Sequence, residues 1–380
     1  MPGAVRCAAQ GAAQHKGPLN LDFMGQARGV AKQTATITVT AAAVLSILMA
    51  CWIARTALLV LFAGILLAIL LRTLADAIGS RLRLRPAWSL ALVVVLLVAM
   101  TTIGIAARGP AVVAQFAELQ NDLPRAAHTV AAQMAQTGWG RWLIERATGW
   151  DAFLPSASVM LSRTTGLVSA TFALVASVAV VLFTGLYLAA EPGRYVDGVL
   201  RLVPLSYRPR AGIVLADVGH TLRWWLLARF VSMIAVGVLV GLGLSALGVP
   251  LAGTLGVIAA LLSFVPNLGP VVSVIPPFLL VAPTSPERAV AVVLLFWMVH
   301  GIEGFLVSPL IERRAIHLPP ALTLIAQVLM AVLVGSLGVA FAAPLVAVVL
   351  VLVRRMYLED LLGEGPRGRV KTPTNRMQLP

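Results

Sequence analysis

Apolar residues run along this chain in blocks long enough to cross a bilayer, and polar positions gather between them. A run of about 18 or more apolar residues predicts a transmembrane helix. The pattern predicts spans at Thr36–Ala54, Thr56–Thr73, Trp88–Ala107, Thr164–Ala190, Phe230–Leu247 and Ala289–Pro309, with Arg55 as a very short turn between the first two. Two further blocks, Leu251–Ala282 and Ala321–Val353, are interrupted in the middle. The first contains Val265-Pro266-Asn267-Leu268-Gly269-Pro270, followed by Pro276-Pro277. The second contains Gly335-Ser336-Leu337-Gly338 and then Pro344. Irregular backbone at membrane depth survives only where protein or a water-filled cavity satisfies its polar groups. Paired interruptions of this kind point to a transporter's binding site.

Each interrupted block is too long for one simple span. The halves Ala252–Phe264 and Pro270–Ala282 make about 20 Å of helix each, short of the ~30 Å hydrocarbon core. Two re-entrant hairpins entering from opposite faces are therefore expected. Charge supports that topology. Arg72, Arg81, Arg83 and Arg85 follow the second span, and Arg194, Arg201, Arg208, Arg210, Arg223 and Arg229 follow the fourth. Basic loops belong in the cytoplasm. The hairpin scheme also places Arg313 and Arg314 there, whereas single crossings would put them outside.

Composition agrees. Of 380 residues 59% are hydrophobic and 12% charged, and the mean hydropathy is +0.93. A water-soluble body could not cover so much apolar surface with so little charge. The net charge of +14 is the mark of cytoplasmic arginines, not of nucleic-acid binding, since no basic motif interleaved with aromatics accompanies it. Cys7 and Cys51 form neither a disulfide framework nor a metal pattern. Leu48-Met49-Ala50-Cys51 is a poor lipoprotein cleavage site, given the long leader and the immediate second span.

The expected organisation is all-α and polytopic, with about eight hydrophobic segments. Residues 1–35 form a disordered cytoplasmic tail, and 36–107 hold the first three spans. Residues 108–163 form an amphipathic extracytoplasmic segment. Residues 164–247 carry spans four and five around a cytoplasmic amphipathic segment, 191–229. Residues 248–355 form a translocation core with broken helices, and 356–380 a basic cytoplasmic tail. Val112, Phe116, Leu119 and Leu123 recur at helical spacing, as do Val214, Val218, Leu222 and Trp225. These stripes, with Trp139, Trp142, Trp150 and Phe153, predict helices lying at the membrane interface; a substrate vestibule or a subunit contact is the alternative.

No phosphate loop, His-Glu-x-x-His or Gly-x-Ser-x-Gly motif is present, so no catalytic residue, metal or cofactor is expected. One carboxylate, Glu303, lies well inside a span, three residues from His300 on one helix face. An ionisable residue there is costly and marks a functional site or a structural hydrogen bond to broken backbone. Pro266, Asn267, Gly269 and Pro270 leave carbonyls free for a polar solute or cation, or simply make a sharp turn. Gln327 and Ser336 are the candidates from the second block. Gly237, Gly241 and Ser245, and likewise Gly304 and Ser308, offer small faces for helix packing.

Val265-Pro266-Asn267-Leu268-Gly269-Pro270 with Ile275-Pro276 resembles a hallmark of the autoinducer-2 exporter family, the PerM-like permeases. So do His300, Glu303-Gly304, Ser308-Pro309-Leu310-Ile311, Arg313-Arg314 and Leu318-Pro319-Pro320-Ala321-Leu322. The ending Gly335–Leu345 with Tyr357-Leu358-Glu359-Asp360 is also similar. The resemblance covers about residues 36–362. It implies a bacterial inner-membrane, multi-pass permease of eight hydrophobic segments with both termini cytoplasmic. It implies lipid and a small solute as partners, with proton or sodium coupling in some members and autoinducer-2 export in others. It also implies a homo-oligomer, with a pentamer as the candidate copy number. The family usually has Gln at the position of His300 and Asn at that of Phe305, so two polar groups beside Glu303 differ here.

The expected function is therefore a permease that moves a small polar or amphipathic solute by alternating access. A sodium/proton antiporter and a non-transporting membrane scaffold are the alternatives.

Overall fold

The computed structural model describes residues 38–40, 42–43, 45–46, 49–50, 52–136, 138, 164–307 and 319–359. The expected tail 1–35, the aromatic run from Trp139 to Phe153, Ser308, Arg313, Arg314 and residues 360–380 lie outside them. The chain divides into two compact units, Met1–Leu58 and Leu59–Pro380. In the first unit the short break falls at Ala54, one residue before the expected position: Ala54 is a turn residue and Arg55 opens the next helix. The break is slight, since Ala54 N–H bonds Ala50 O and Leu58 N–H bonds Ala54 O, both at 2.9 Å, and Ile53-Ala54-Arg55-Thr56 holds neither Gly nor Pro. The Arg55 guanidinium lies 4.6 Å above the Trp52 ring.

Among the described residues all regular structure is helical. The helices are α1 (Arg55–Leu82), α2 (Pro86–Ala135), α3 (Thr164–Ala190), α4 (Pro192–Arg201) and α5 (Arg208–Ala246). There follow α6 (Ala252–Leu262), α7 (Leu268–Ser273), α8 (Ile275–Val281), α9 (Pro286–Ile302), α10 (Pro320–Val334) and α11 (Ser336–Leu352). Five helical stretches are long and apolar enough to cross a bilayer: Arg55–Leu82, Pro86–Ala107, Leu205–Ala246, Pro286–Phe305 and Ser336–Tyr357. A sixth is α3 taken with α4, which bends away from it by 90°. The eight expected segments thus resolve, among the described residues, into five or six of crossing length and a set of shorter helices. Large apolar side chains such as Ile234, Leu242, Trp297 and Val332 point outward. Only lipid or another protein surface could cover so much of that area.

Two helices run on where a boundary was expected. Helix α2 continues past Ala107 as 50 residues, about 75 Å long and far beyond a ~30 Å core. In its distal half part of the expected stripe meets protein. Leu119 is buried among Val240, Leu244, Leu255 and Phe296, and Leu123 packs on the same cluster. Val112 and Phe116 of the same stripe stay exposed. Helix α5 likewise joins the expected cytoplasmic stripe and span five into 39 residues. Val214, Leu222 and Trp225 are buried, so this stripe faces protein. A period of 3.6 residues reports which face is covered, not what covers it.

The two interrupted blocks fold back on themselves. In the first, α6 ends at Leu262 and α7 begins at Leu268, with Asn267 at φ +65°. Asn adopts positive φ more readily than most residues. A Cβ on Gly269 would run into the Leu262 carbonyl oxygen, so this close return requires glycine. In the second, the chain turns at Gly335 (φ +85°, ψ −154°), a conformation reserved for glycine. Helices α10 and α11 then pack side by side, and a Cβ on Gly338 would strike the Met330 carbonyl oxygen. The two arms of this block differ in reach. Helix α10 has 15 residues, while α11 continues through a π-helical turn, Val353–Glu359, and reaches crossing length. No Gly or Pro stands between Leu345 and Glu359 to stop it.

Helix α5 is the common partner. It packs against α6, α9 and α11. Its contact with α6 is close because small residues face one another: Gly256 approaches Gly237 and Gly241, and a Cβ on Gly237 would sit 2.8 Å from that of Ala260.

Candidate functional site

The carboxylate of Glu303 sits where α9 loosens from α-helix into a π-helical turn, Glu303–Val307. Such turns add one residue to the helix and often occur at functional positions. Three groups converge on this carboxylate. Ser232 Oγ on α5 donates to Oε1. His300 Nδ1 lies 3.0 Å from Oε2. Arg229 Nη1, one turn before Ser232 on α5, is 3.8 Å from Oε1. Glu303 and His300 side chains are each 15% exposed. Placing a charge in such surroundings requires a paired charge and hydrogen bonds, and Arg229 with Ser232 supplies both. Among the described residues His300 Nε2 is buried with no hydrogen-bond partner. The arrangement can hold a proton or cation beside a carboxylate, or anchor α9 to α5.

The break in the first hairpin is satisfied by the second. Gln327 of α10 is 1% exposed, and its Nε2 donates to the Pro266 carbonyl at 2.8 Å. Asn267 Nδ2 donates to Thr323 Oγ1 at 3.3 Å, and that hydroxyl donates to Pro320 O at 2.8 Å. Aromatic contacts extend the join: Phe264 meets Phe341 of α11 at 6.3 Å and Trp225 of α5 at 5.7 Å. Gln327 Oε1 is buried without a partner among the described residues. A carbonyl freed by a membrane break must find a donor, and the side-chain amide of Gln327 is that donor.

A third polar group ties the start of α5 to the end of α11. Glu359 receives Arg355 Nη1 at 2.8 Å and Arg210 Nη2 at 3.1 Å, and Arg355 also pairs with Asp217 at 2.5 Å. Arg210 Nη2 donates to the Arg355 carbonyl as well. The hydrogen bond from Arg355 is the main reason the Glu359 carboxyl is held below its ordinary pKa.

Of the residues singled out in the sequence, Pro266, Asn267, Gly269, Pro270 and Gln327 meet at the hairpin junction, although Asn267 itself is exposed. His300 and Glu303 meet at the π-turn. Ser336 is exposed at the tip of the second hairpin and belongs to neither group. Gly237 and Gly241 lie in the α5–α6 contact. Ser245 is not in it: it is exposed, and its hydroxyl bonds Gly241 O in its own helix. Gly304 is exposed with open space beside it, while its neighbour Glu303 takes the face toward α5.

Sequence reasoning missed Ser232, Thr323 and Gly256, and counted Arg229 only as a cytoplasmic charge. The signal for Arg229 and Ser232 was their spacing of three at the start of the apolar half of α5. Thr254 also pairs with Gln115 of α2, a contact between positions far apart in the chain that no local pattern announces.

Residues 42–358 match the family described as AI-2E family transporter. The chain is 24% identical over 276 residues to a Bacillus subtilis (strain 168) protein named "Putative transport protein YueF", covering 69% of this chain and 74% of that one. A second protein of that strain, YrrI, bears the same designation and is 27% identical over 40% of this chain and 43% of its own length. YhhT of Escherichia coli (strain K12), again so designated, is 26% identical over 50% and 54%. The match over 42–358 takes in α1 through α11, including both hairpins and the Glu303 turn, and the chain belongs to the AI-2E family of transporters.

Proposed function

We propose that this chain is a permease of the bacterial inner membrane that moves a small polar or amphipathic solute by alternating access. Autoinducer-2 falls within that solute class, and export of it is the specific activity to test. The observation that carries the reading is the bond from Gln327 to the Pro266 carbonyl. It joins two broken hairpins at a buried polar point, where a solute could exchange hydrogen bonds with the protein. Helix α5, packed on α6, α9 and α11, is the fixed post against which the hairpins would rock. The runs of arginine favour cytoplasmic termini. The outward apolar faces suit lipid and a homo-oligomer, with a pentamer as the copy number to measure by native mass spectrometry.

The test is uptake of labelled small polar solutes into proteoliposomes under imposed pH and sodium gradients. Transport of at least one solute, reduced tenfold or more by Gln327→Leu, is the expected result. No movement of any solute under any gradient would remove the support for transport.

A second reading, sodium/proton exchange, is favoured by the Ser232–Glu303–His300–Arg229 group. It predicts that Glu303→Gln abolishes pH-dependent sodium exchange while the protein still folds, because an amide can neither bind the proton nor neutralise sodium. Exchange that survives this substitution refutes the reading. A non-transporting scaffold predicts no aqueous route to either site. Cysteines placed at 267 and 303, probed from each side of the membrane with impermeant reagents, separate it from a permease.

A further inference from the structure

A cavity of about 600 Å³ opens between α1, α3, α4 and α5, and the transport reading makes no use of it. Its deep wall is apolar: Ile65, Ala68, Ile69, Leu188 and Leu222, all buried or half-buried. Its rim carries Arg72, Asp76 and Arg223. Ile65 and Asp76 stand eleven residues apart on α1, so the apolar and charged ends are about 16 Å apart along that helix. Helix α4, bent 90° from α3, contributes Tyr195, Val196 and Val199 to the lining. A short amphipathic helix turned across a span is the shape of an element lying in the membrane interface.

The charges at the rim do not balance. Asp76 is the carboxylate for two guanidiniums, 3.5 Å from Arg72 and 3.7 Å from Arg223. Arg72 also reaches the Ala189 carbonyl at 3.5 Å. His220 Nε2 accepts the Trp224 indole N–H at 3.0 Å and brings no negative charge. One positive charge is therefore left over, on side chains that are 30% (Arg72) and 41% (Arg223) exposed. Basic pockets between membrane helices, apolar below and cationic at headgroup level, suit anionic lipid. We propose that this cavity binds one anionic phospholipid of the surrounding bilayer, its acyl chain along α1 and α5 and its phosphate at Arg72 and Arg223. The charge complementarity selects an anion, and the apolar depth selects a chain-bearing one.

Gly219 makes the proposal testable. It lines the cavity, and a Cβ there meets nothing within 4 Å. Gly219→Leu should fill the space without strain, and it replaces a poor helix former with a good one. The experiment is native mass spectrometry of the full chain with phosphatidylglycerol, phosphatidylcholine or decyl phosphate added. The wild type should retain one phosphatidylglycerol about fivefold better than phosphatidylcholine. Arg223→Gln should bring that ratio close to one. Asp76→Asn should widen it by about another fivefold. Gly219→Leu should lose the bound lipid with no fall in Tm. Equal retention of the two phospholipids by the wild type, or undiminished retention by Gly219→Leu, overturns the proposal. So does retention of decyl phosphate in place of phosphatidylglycerol, which would make the cavity a site for a water-soluble amphiphile.

Discussion

The two broken hairpins reach similar shapes by different means. The first turns over several residues, Ser263–Asn267, and its second arm bends again at Val274 before Pro276 and Pro277. Both its arms are too short to cross a bilayer. The second turns on one residue, Gly335, and its second arm, Ser336–Tyr357, is long enough to cross. A proline-rich break leaves carbonyls without donors, so the first hairpin needs a partner from outside itself. A single-glycine break leaves little unpaired: Gly335 N–H still bonds Ala331 O at 2.9 Å. The dependence is therefore unequal. The first hairpin borrows the Gln327 amide of the second, and the second borrows only a weaker bond from Asn267.

That asymmetry can be attacked directly. The largest effect belongs to Gly269→Ala. The added methyl would meet the Leu262 carbonyl, which is backbone and cannot step aside, so a loss of about 3 kcal/mol is expected. Guanidinium denaturation in detergent, with Gly304→Ala as a neutral control, measures it. Equal stability of the two variants would mean the first return is looser than described.

Gln327→Leu comes next. It strips the donor from the Pro266 carbonyl, and a buried acceptor left bare costs about 2 kcal/mol. Hydrogen exchange should then rise around Ser263–Gly269 and stay unchanged around Gly335. Equal loosening of both hairpins would erase that inequality.

The smallest effect is a pH response at the end of the second hairpin. The folded pKa of Glu359 lies below its unfolded value. Its contribution is therefore complete above the unfolded pKa near 4.3 and disappears as pH falls through the lower folded value. The Tm of the wild type should drop between about pH 4.5 and 3 more than that of Glu359→Gln. Parallel curves would show that the Arg210–Glu359–Arg355 group does not hold α11 to α5.

Much of this was legible in the chain itself. Thr164–Ala190 was predicted at the bounds of α3, and the break at Val265–Pro270 was predicted where the backbone turns. Proline and glycine act on their own backbone, so their effects can be read locally. At Arg55 the expected turn lies one residue earlier, at Ala54, where neither Gly nor Pro marks the position. The stripes from Val112 and Val214 both belong to longer helices. Protein buries Leu119 of the first and Val214, Leu222 and Trp225 of the second, while Val112 and Phe116 stay exposed.

The amino-acid order alone determined that the protein is helical, that its apolar runs require lipid, and where two of those runs must break. These follow from hydropathy and torsional limits within a few residues of each position. Only the folded chain decided that Gln327 closes the break at Pro266, that Arg229 and Ser232 hold Glu303, and that two arginines share Asp76 at an apolar cavity. Those pairings join side chains tens of residues apart, and their energies exist only after packing has brought the partners within hydrogen-bond reach.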